Sequence, residues 1–196
     1  MAVADAAYKF IYLDIGSYGR ENDSSVFARS TFGKALLDGT LSLPEPDGLP
    51  YTFVADEAFP LQENLMRPYP GNTLNEEKRV FNYRLSRARR VVENSFGIMV
   101  TKWRILRQPI IGKPETIDGV IKAIGVLHNF LREREGVNVD FAEGSGHTLD
   151  DAPGRMGANN YSSVAEDVRQ TFVEYFNSPQ GSLPYQNDVV HRGELR

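Results

Sequence analysis

Cysteine is absent from this chain of 196 residues. Its absence excludes a disulfide, a thiol nucleophile and any zinc site built on cysteine, and it fits a reducing compartment. Histidine is scarce, with three in all. His128 keeps helical spacing with Leu127 and Leu131 and reads as a packed, hydrogen-bonded core residue rather than a general base. His147 falls in an acidic, glycine-rich loop and His191 in the tail, so no histidine cluster suggests a metal site. No apolar run approaches the ~20 residues a helix needs to cross a bilayer. The opening MAVADAAYKF lacks the basic-then-apolar layout of a signal peptide. Serines are plentiful, but no G-x-S-x-G elbow accompanies them. Gly16–Gly19 does not form a phosphate-binding glycine motif, and there is no internal repeat. What remains is a composition of 41% hydrophobic and 24% charged residues, that of an ordinary globular protein long enough for one sizeable domain.

The net charge of −4 argues weakly against nucleic-acid binding, but the charge is unevenly spread. From Arg67 to Arg107 ten Lys and Arg face three Glu, a local +7. From Glu133 to Glu174 nine Asp and Glu face three Arg, a local −6. This asymmetry predicts a basic face and an acidic C-terminal third. A basic helix by itself is most often a solvated surface.

Taken in order, Tyr8–Ile15 alternates tyrosine with branched apolar residues, as a strand does. Asn22 or Asp23 can cap a helix from about Ser24 to Leu37. Three prolines and a glycine make Leu41–Pro50 a loop. Tyr51–Ala55 is a short β-rich run that ends at Asp56-Glu57, and Asn64–Arg67 can form another brief strand. Asn75 caps a long helix toward Leu106, with Leu74 as a hydrophobic staple and Gly97 as a place for a bend or break. Pro109 and Pro114 end that segment, and Thr116 can cap a helix over Ile117–Arg134. Residues 136–158 are rich in Gly, Asp and Asn and are expected to be mobile. A last amphipathic helix covers Val164–Phe176, and an irregular tail follows Ser178. The class is α/β, with too few strands for a complete sheet.

The chain is organised around Arg79–Arg107. At 100° per residue, Phe81, Leu85, Ala88, Val92, Phe96, Met99 and Trp103 form one apolar stripe. Glu93, on the flank of that stripe, is the only acidic residue in the stretch. It reads either as the ion-pair partner of Arg89 and Arg90, four and three positions before it, or as a metal ligand. Asp56 is its natural complement, since open α/β sheets place ligands at the C-terminal ends of strands. Hydrolysis of a phosphodiester by two divalent ions needs carboxylates converging on metals ~3.5–4 Å apart, with basic groups to hold the strand. Sequence spacing does not establish that convergence.

Four runs carry a family likeness: YLDIGSYGRENDSSVF (Tyr12–Phe27), VADEAFPLQENLMRPYPG (Val54–Gly71), NEEKRVFNYRLSRARRVVENSFGI (Asn75–Ile98) and VLHNFLR (Val126–Arg132). Together they resemble the Harbinger-type transposases and the nucleases derived from them, DDE-superfamily endonucleases with an RNase H-like core. The similarity extends over about Ala2–Arg134, and AEDVRQTFVEYFNSP (Ala165–Pro179) also fits it. The resemblance implies a partial nuclease domain over 1–134, a mobile acidic linker over 135–160, a C-terminal helix over 161–178 and an irregular tail over 179–196. It places the family's second catalytic Asp at Asp56 and its catalytic Glu at Glu93, both binding Mg²⁺ or Mn²⁺. Phosphate contacts then fall to Arg84, Arg87, Arg89, Arg90, Lys102 and Arg104. Asp23 matches a further acidic position of the family and is a candidate to stand behind the ligands, against its reading as a helix cap.

One feature of the family is missing. Its first catalytic Asp lies in a D-G-[TK]-H motif on the first strand, and these 196 residues contain no such motif. The resemblance therefore implies an RNase H-like fold incomplete at its N-terminus, first strand missing, with additional C-terminal helices. Asp14 falls on the matching third strand, where alternation with Leu13 and Ile15 turns it away from their side chains, and Asp5 reads as a turn residue. Glu57 points to the opposite face from Asp56 and is not a ligand. The expected function is metal-dependent DNA cleavage, impaired in this chain alone. The alternative is a non-catalytic remnant that binds DNA or protein. The implied partners are DNA and a Myb-like protein, and the implied location is nuclear, with the cytoplasm left open.

Overall fold

A computed structural model describes residues 1–17, 21–44, 46–71, 73–136 and 161–192. Along the chain run β1 (Ala2–Ala4), β2 (Phe10–Leu13), α1 (Asp23–Arg29), α2 (Thr31–Leu37), β3 (Phe53–Val54), β4 (Leu65–Met66) and α3 (Glu76–Lys102). A 3₁₀ turn (Arg104–Arg107) leads to α4 (Pro114–Glu135), α5 (Ser163–Asn177) and α6 (Gln186–Arg192). The architecture is mixed helix and sheet. The described residues hold two separate two-stranded sheets, β1 antiparallel to β2 and β3 parallel to β4. The chain divides into two units, one of 1–26 and 90–152 and the other of 27–89 and 153–196, with the divisions falling inside α1 and α3.

In the first unit the turn joining β1 to β2 is organised by Asp5, whose Oδ1 accepts from the amides of Ala7 and Lys9, both at 2.9 Å. Tyr8 sits there at a φ of +63°. α4 closes over this hairpin with polar side chains. The Asn129 amide takes the N–H of Phe10 at 2.8 Å and donates to its carbonyl at 2.7 Å, acting as a neighbouring strand would. His128 Nε2 donates to the Tyr8 carbonyl at 2.7 Å, as the sequence predicts for a packed histidine. Phe10, Met99 and Ile124 form the apolar centre, with Trp103 and Leu106 against it. A Cβ on Gly125 would meet Leu13 Cδ1 at 2.4 Å, so the glycine lets the Leu13 side chain lie directly against the helix.

The second unit is built on Leu61, Met66, Tyr69, Phe81, Leu85, Ala165 and Val173, with Leu74 packed beside them where a staple is expected. Asn75 Oδ1 accepts from Lys78 N at 3.1 Å and caps α3. The helix expected over Ser24–Leu37 is two helices. Buried Ser30 interrupts it, donating to the Phe27 carbonyl at 2.7 Å while accepting from Gly33 N at 2.9 Å as the cap of α2. Gly33 is required there, because a Cβ would stand 1.9 Å from the Phe27 carbonyl oxygen.

Three other expectations are corrected. α3 runs through Gly97 without a break, because the residues around it supply enough helix propensity and packing to carry a cost of only ~1 kcal/mol. α4 begins at Pro114 after Lys113, since proline suits the first helical turn, where its missing N–H goes unused. The tail after Ser178 carries α6, anchored by Gln186, whose Nε2 donates to the Phe176 carbonyl at 2.9 Å and whose Oε1 accepts from Leu183 N at 3.1 Å. Residues 137–160 of the expected mobile linker lie outside the described residues.

Candidate functional site

Asp56 stands immediately beyond β3, on a loop whose shape is fixed from several sides. Phe53 N donates to Asn64 O at 2.8 Å and Ala55 N to Met66 O at 2.9 Å, which sets β3 alongside β4. Asp56 Oδ1 accepts from Ala58 N at 2.9 Å, and its carbonyl from Phe59 N at 3.3 Å. Beneath the loop lies buried Arg67, whose Nη1 donates to the Phe59 carbonyl at 3.1 Å and the Glu57 carbonyl at 3.4 Å. Burial, and after it the like charge of Arg169, lower the Arg67 pKa from the usual arginine range. Phe59 packs edge-on to Phe27 with ring centroids 5.5 Å apart, and Leu61 is fully buried. A carboxylate so mounted keeps its direction without the entropy of a loose loop.

The basic residues of α3 fall into two kinds. Arg84 is turned inward: Nη1 donates to the Gly181 carbonyl at 2.8 Å and to Gln186 Oε1 at 3.3 Å, and the guanidinium lies 4.5 Å over the Phe176 ring. Arg87 donates to the hydroxyls of Tyr185 and Tyr83, and the Tyr185 bond is the main cause of its raised pKa. Arg89 Nη1 lies 3.9 Å from Asp56 Oδ2. In the other unit Lys102 pairs with Glu135 at 2.7 Å. Arg90 and Arg104 are exposed and make no side-chain hydrogen bond or ion pair among the described residues. Of the six basic candidates, these two have guanidiniums uncommitted to the protein.

Glu93 is half-buried on α3, one turn after Arg89. Asp23 is exposed at the first position of α1, and the cap is Asn22, whose Oδ1 accepts from Ser25 N at 2.8 Å. Asp14 has its backbone N–H and carbonyl bonded to Met1, both at 2.8 Å. Oxygen donors such as Asp56 and Glu93 suit Mg²⁺ or Mn²⁺. Among the described residues, however, no group of three or more His, Asp or Glu gathers closely enough to hold a metal. The donor chemistry fits a hard cation, and the number of donors falls short of a complete centre.

Two structural arginines escaped the sequence reading. Arg67 follows a two-residue strand too short to show alternation. Arg169 is 2% exposed, and its Nη2 pairs with Glu166. Its guanidinium lies 3.8 Å over the Tyr69 ring, while Nε and Nη1 meet no acceptor among the described residues. One signal was present: Arg169 lies four residues after Ala165 and four before Val173, both buried, and so belongs to the inward stripe of α5.

The family described as DDE superfamily endonuclease matches residues 1–129. Protein ALP1-like from Arabidopsis thaliana is 29% identical, over 71% of this chain and 36% of that relative. The chain thus spans about a third of the length of the curated relative it matches. No solved structure matches. With two-thirds of its length matched to one family, and the runs around Asp56 and Glu93 inside the matched region, this chain belongs to the DDE superfamily endonucleases.

Proposed function

We propose that this chain is the C-terminal portion of a divalent-metal-dependent DNA nuclease of the Harbinger transposase lineage, with an RNase H-like core that a further strand completes. Asp56 and Glu93 would hold the metal, with a third carboxylate contributed by a segment or chain bearing the D-G-[TK]-H motif. The bound ion would supply Lewis acidity at the scissile phosphate. Arg90 and Arg104 are the candidates to bind phosphate from this chain, and Arg89 orients the Asp56 carboxylate. Asp23, in the first turn of α1, places a negative charge at the positive end of the helix dipole and would stand behind the ligands as a supporting acid. Action on DNA carries with it nuclear residence and a Myb-like partner as further proposals.

The observation that carries the reading is the built Asp56 loop within a chain of this family. One observation favours the second reading, a non-catalytic DNA- or protein-binding module: no three-donor group forms among the described residues.

Nicking of supercoiled DNA separates the two. The chain, alone and mixed with a polypeptide bearing the D-G-[TK]-H strand, is assayed with Mg²⁺, Mn²⁺ or EDTA. The nuclease reading requires metal-dependent nicking in the mixture, lost in both Asp56→Asn and Glu93→Gln. DNA binding that survives both substitutions with no cleavage in any mixture favours the binding module.

A further inference from the structure

Helix α4 buries Ile124 together with several polar side chains and leaves a second apolar stripe outward. His128, Asn129 and Arg132 face the β1–β2 hairpin and bond to backbone groups of Tyr8, Phe10 and Ala7. On the other side Gly119, Ala123, Val126, Leu127 and Phe130 recur at three- and four-residue spacing and are all exposed. Val126 is 70%, Phe130 51% and Leu127 49% exposed. A contiguous apolar stripe on a helix already anchored through its other face marks an interaction surface.

The stripe also says what fits it. Its N-terminal end is small, at Gly119 and Ala123, and its C-terminal end is large, at Phe130. One flank, which begins at exposed Glu115, carries exposed Lys122 and then exposed Glu133. Eleven positions separate these two, which puts them within about 20° of each other around the helix. A second copy of α4 running antiparallel would set Phe130 against Ala123 and Val126, large into small. A two-fold axis between Leu127 and His128 would bring Lys122 of each copy beside Glu133 of the other, because such an axis keeps each flank facing its own equivalent. A parallel copy would oppose large to large and set each flank against the opposite one, so that Lys122 and Glu133 would not meet. Arg134, lying 4.7 Å over the Phe130 ring, stays at the rim.

We propose that α4 is a self-association surface, pairing antiparallel with α4 of a second copy through Ala123, Val126, Leu127 and Phe130, with two Lys122–Glu133 ion pairs closing it. The pairing is independent of the catalytic reading. A single helix pair is a small interface, so association is weak, on the order of micromolar to tens of micromolar.

The absence of cysteine makes the test direct. Leu127→Cys, close to the axis, is expected to give a disulfide-linked dimer on mild oxidation, whereas Ile111→Cys, fully exposed elsewhere, stays monomeric. Sedimentation equilibrium should show a monomer–dimer equilibrium that Val126→Glu with Phe130→Glu shifts about tenfold or more toward monomer, at unchanged helical content. Lys122→Glu should weaken the dimer, and adding Glu133→Lys should restore it. A wild-type chain that stays monomeric to about 200 µM overturns the proposal, as it would if the stripe belonged to a different protein or to another segment. A dimer indifferent to the charge swap, or one that cross-links at Ile111→Cys and not at Leu127→Cys, also overturns it.

Discussion

Nη1 of Arg89 lies 3.9 Å from Oδ2 of Asp56, while Oδ1 of the same carboxylate is taken by the Ala58 amide. The protein itself thus supplies a cation close to the carboxylate proposed as a metal ligand. Both side chains are partly exposed, so the pair is worth no more than about 1 kcal/mol, or a factor of about five in a competing equilibrium. Arg89→Met is therefore expected to tighten Mn²⁺ binding by up to about fivefold, whereas Asp56→Asn removes a ligand and weakens it far more. Calorimetric titration with Mn²⁺ reads both. Weaker binding in Arg89→Met would show that Arg89 supports the metal-bound state rather than competing with it.

The basic helix should respond unevenly to substitution. Arg84 is engaged with Gly181, Gln186 and the Phe176 ring, so Arg84→Ala should cost about 1–3 kcal/mol of stability through unmet acceptors and lost packing. The salt dependence of DNA binding should not change. Arg90→Ala and Arg104→Ala should leave stability within about 0.5 kcal/mol, and each should lower the slope of log K against log salt by about one. A slope that falls with Arg84→Ala and stays put with the other two would reverse these roles.

His128 gives the first unit a dependence on acid. Burial lowers its pKa from 6.5 and the Arg132 charge adds to that, against the opposing bond to the Tyr8 carbonyl. The folded state therefore prefers the neutral imidazole, while the unfolded chain binds a proton below about 6.5. Stability is fully present above that pH and falls as pH drops through 6.5 toward the lowered folded value, by at most about 1.4 kcal/mol per pH unit. Urea midpoints at pH 7.5 and 5.0 should differ more for the wild type than for His128→Gln. Equal differences would assign the acid sensitivity elsewhere.

How far these features could be read in the sequence depended on whether their causes are local. Caps and strands came through: Asn75 caps α3, Asp5 makes its turn, and Phe10–Leu13 lies within the expected strand. The apolar stripe of α3 was found as a whole, but its members part company. Phe81 and Leu85 are buried in one unit and Met99 in the other, while Ala88 and Phe96 are exposed. Periodicity marks a face and does not say what covers it. The break at Ser30 was hidden because its cause, the approach of Gly33 to the Phe27 carbonyl, is a packing distance. α6 was missed because Gln186, the residue that anchors it, bonds to groups brought near only by folding. The place of Asp56 just beyond a strand was legible, and the arginine beneath its loop was not.

Tyr69 is the converse of His128 and sits at the centre of the second unit. Its hydroxyl donates to Glu166 Oε1 at 3.5 Å, and its ring lies under the Arg169 guanidinium at 3.8 Å and near Lys78 Nζ at 4.6 Å. Burial pushes its pKa from 10.0 up to about 12, helped by the negative Glu166 and opposed by the Arg169 charge. The folded state thus keeps the phenol proton after the unfolded chain has lost it, so stability must fall as pH rises from about 10 to about 12. Over that window one such group accounts for about 2 kcal/mol. Tyr69→Phe has no proton to lose there. It should be less stable than the wild type at pH 8.5, through loss of the bond to Glu166, and the gap should narrow steadily at pH 10 and 11. Other tyrosines and the lysines titrate alike in both proteins, so the difference between the two urea midpoints isolates Tyr69. A gap that stays constant across this range would mean that Tyr69 titrates at its ordinary value and that burial among the arginines does not hold its proton.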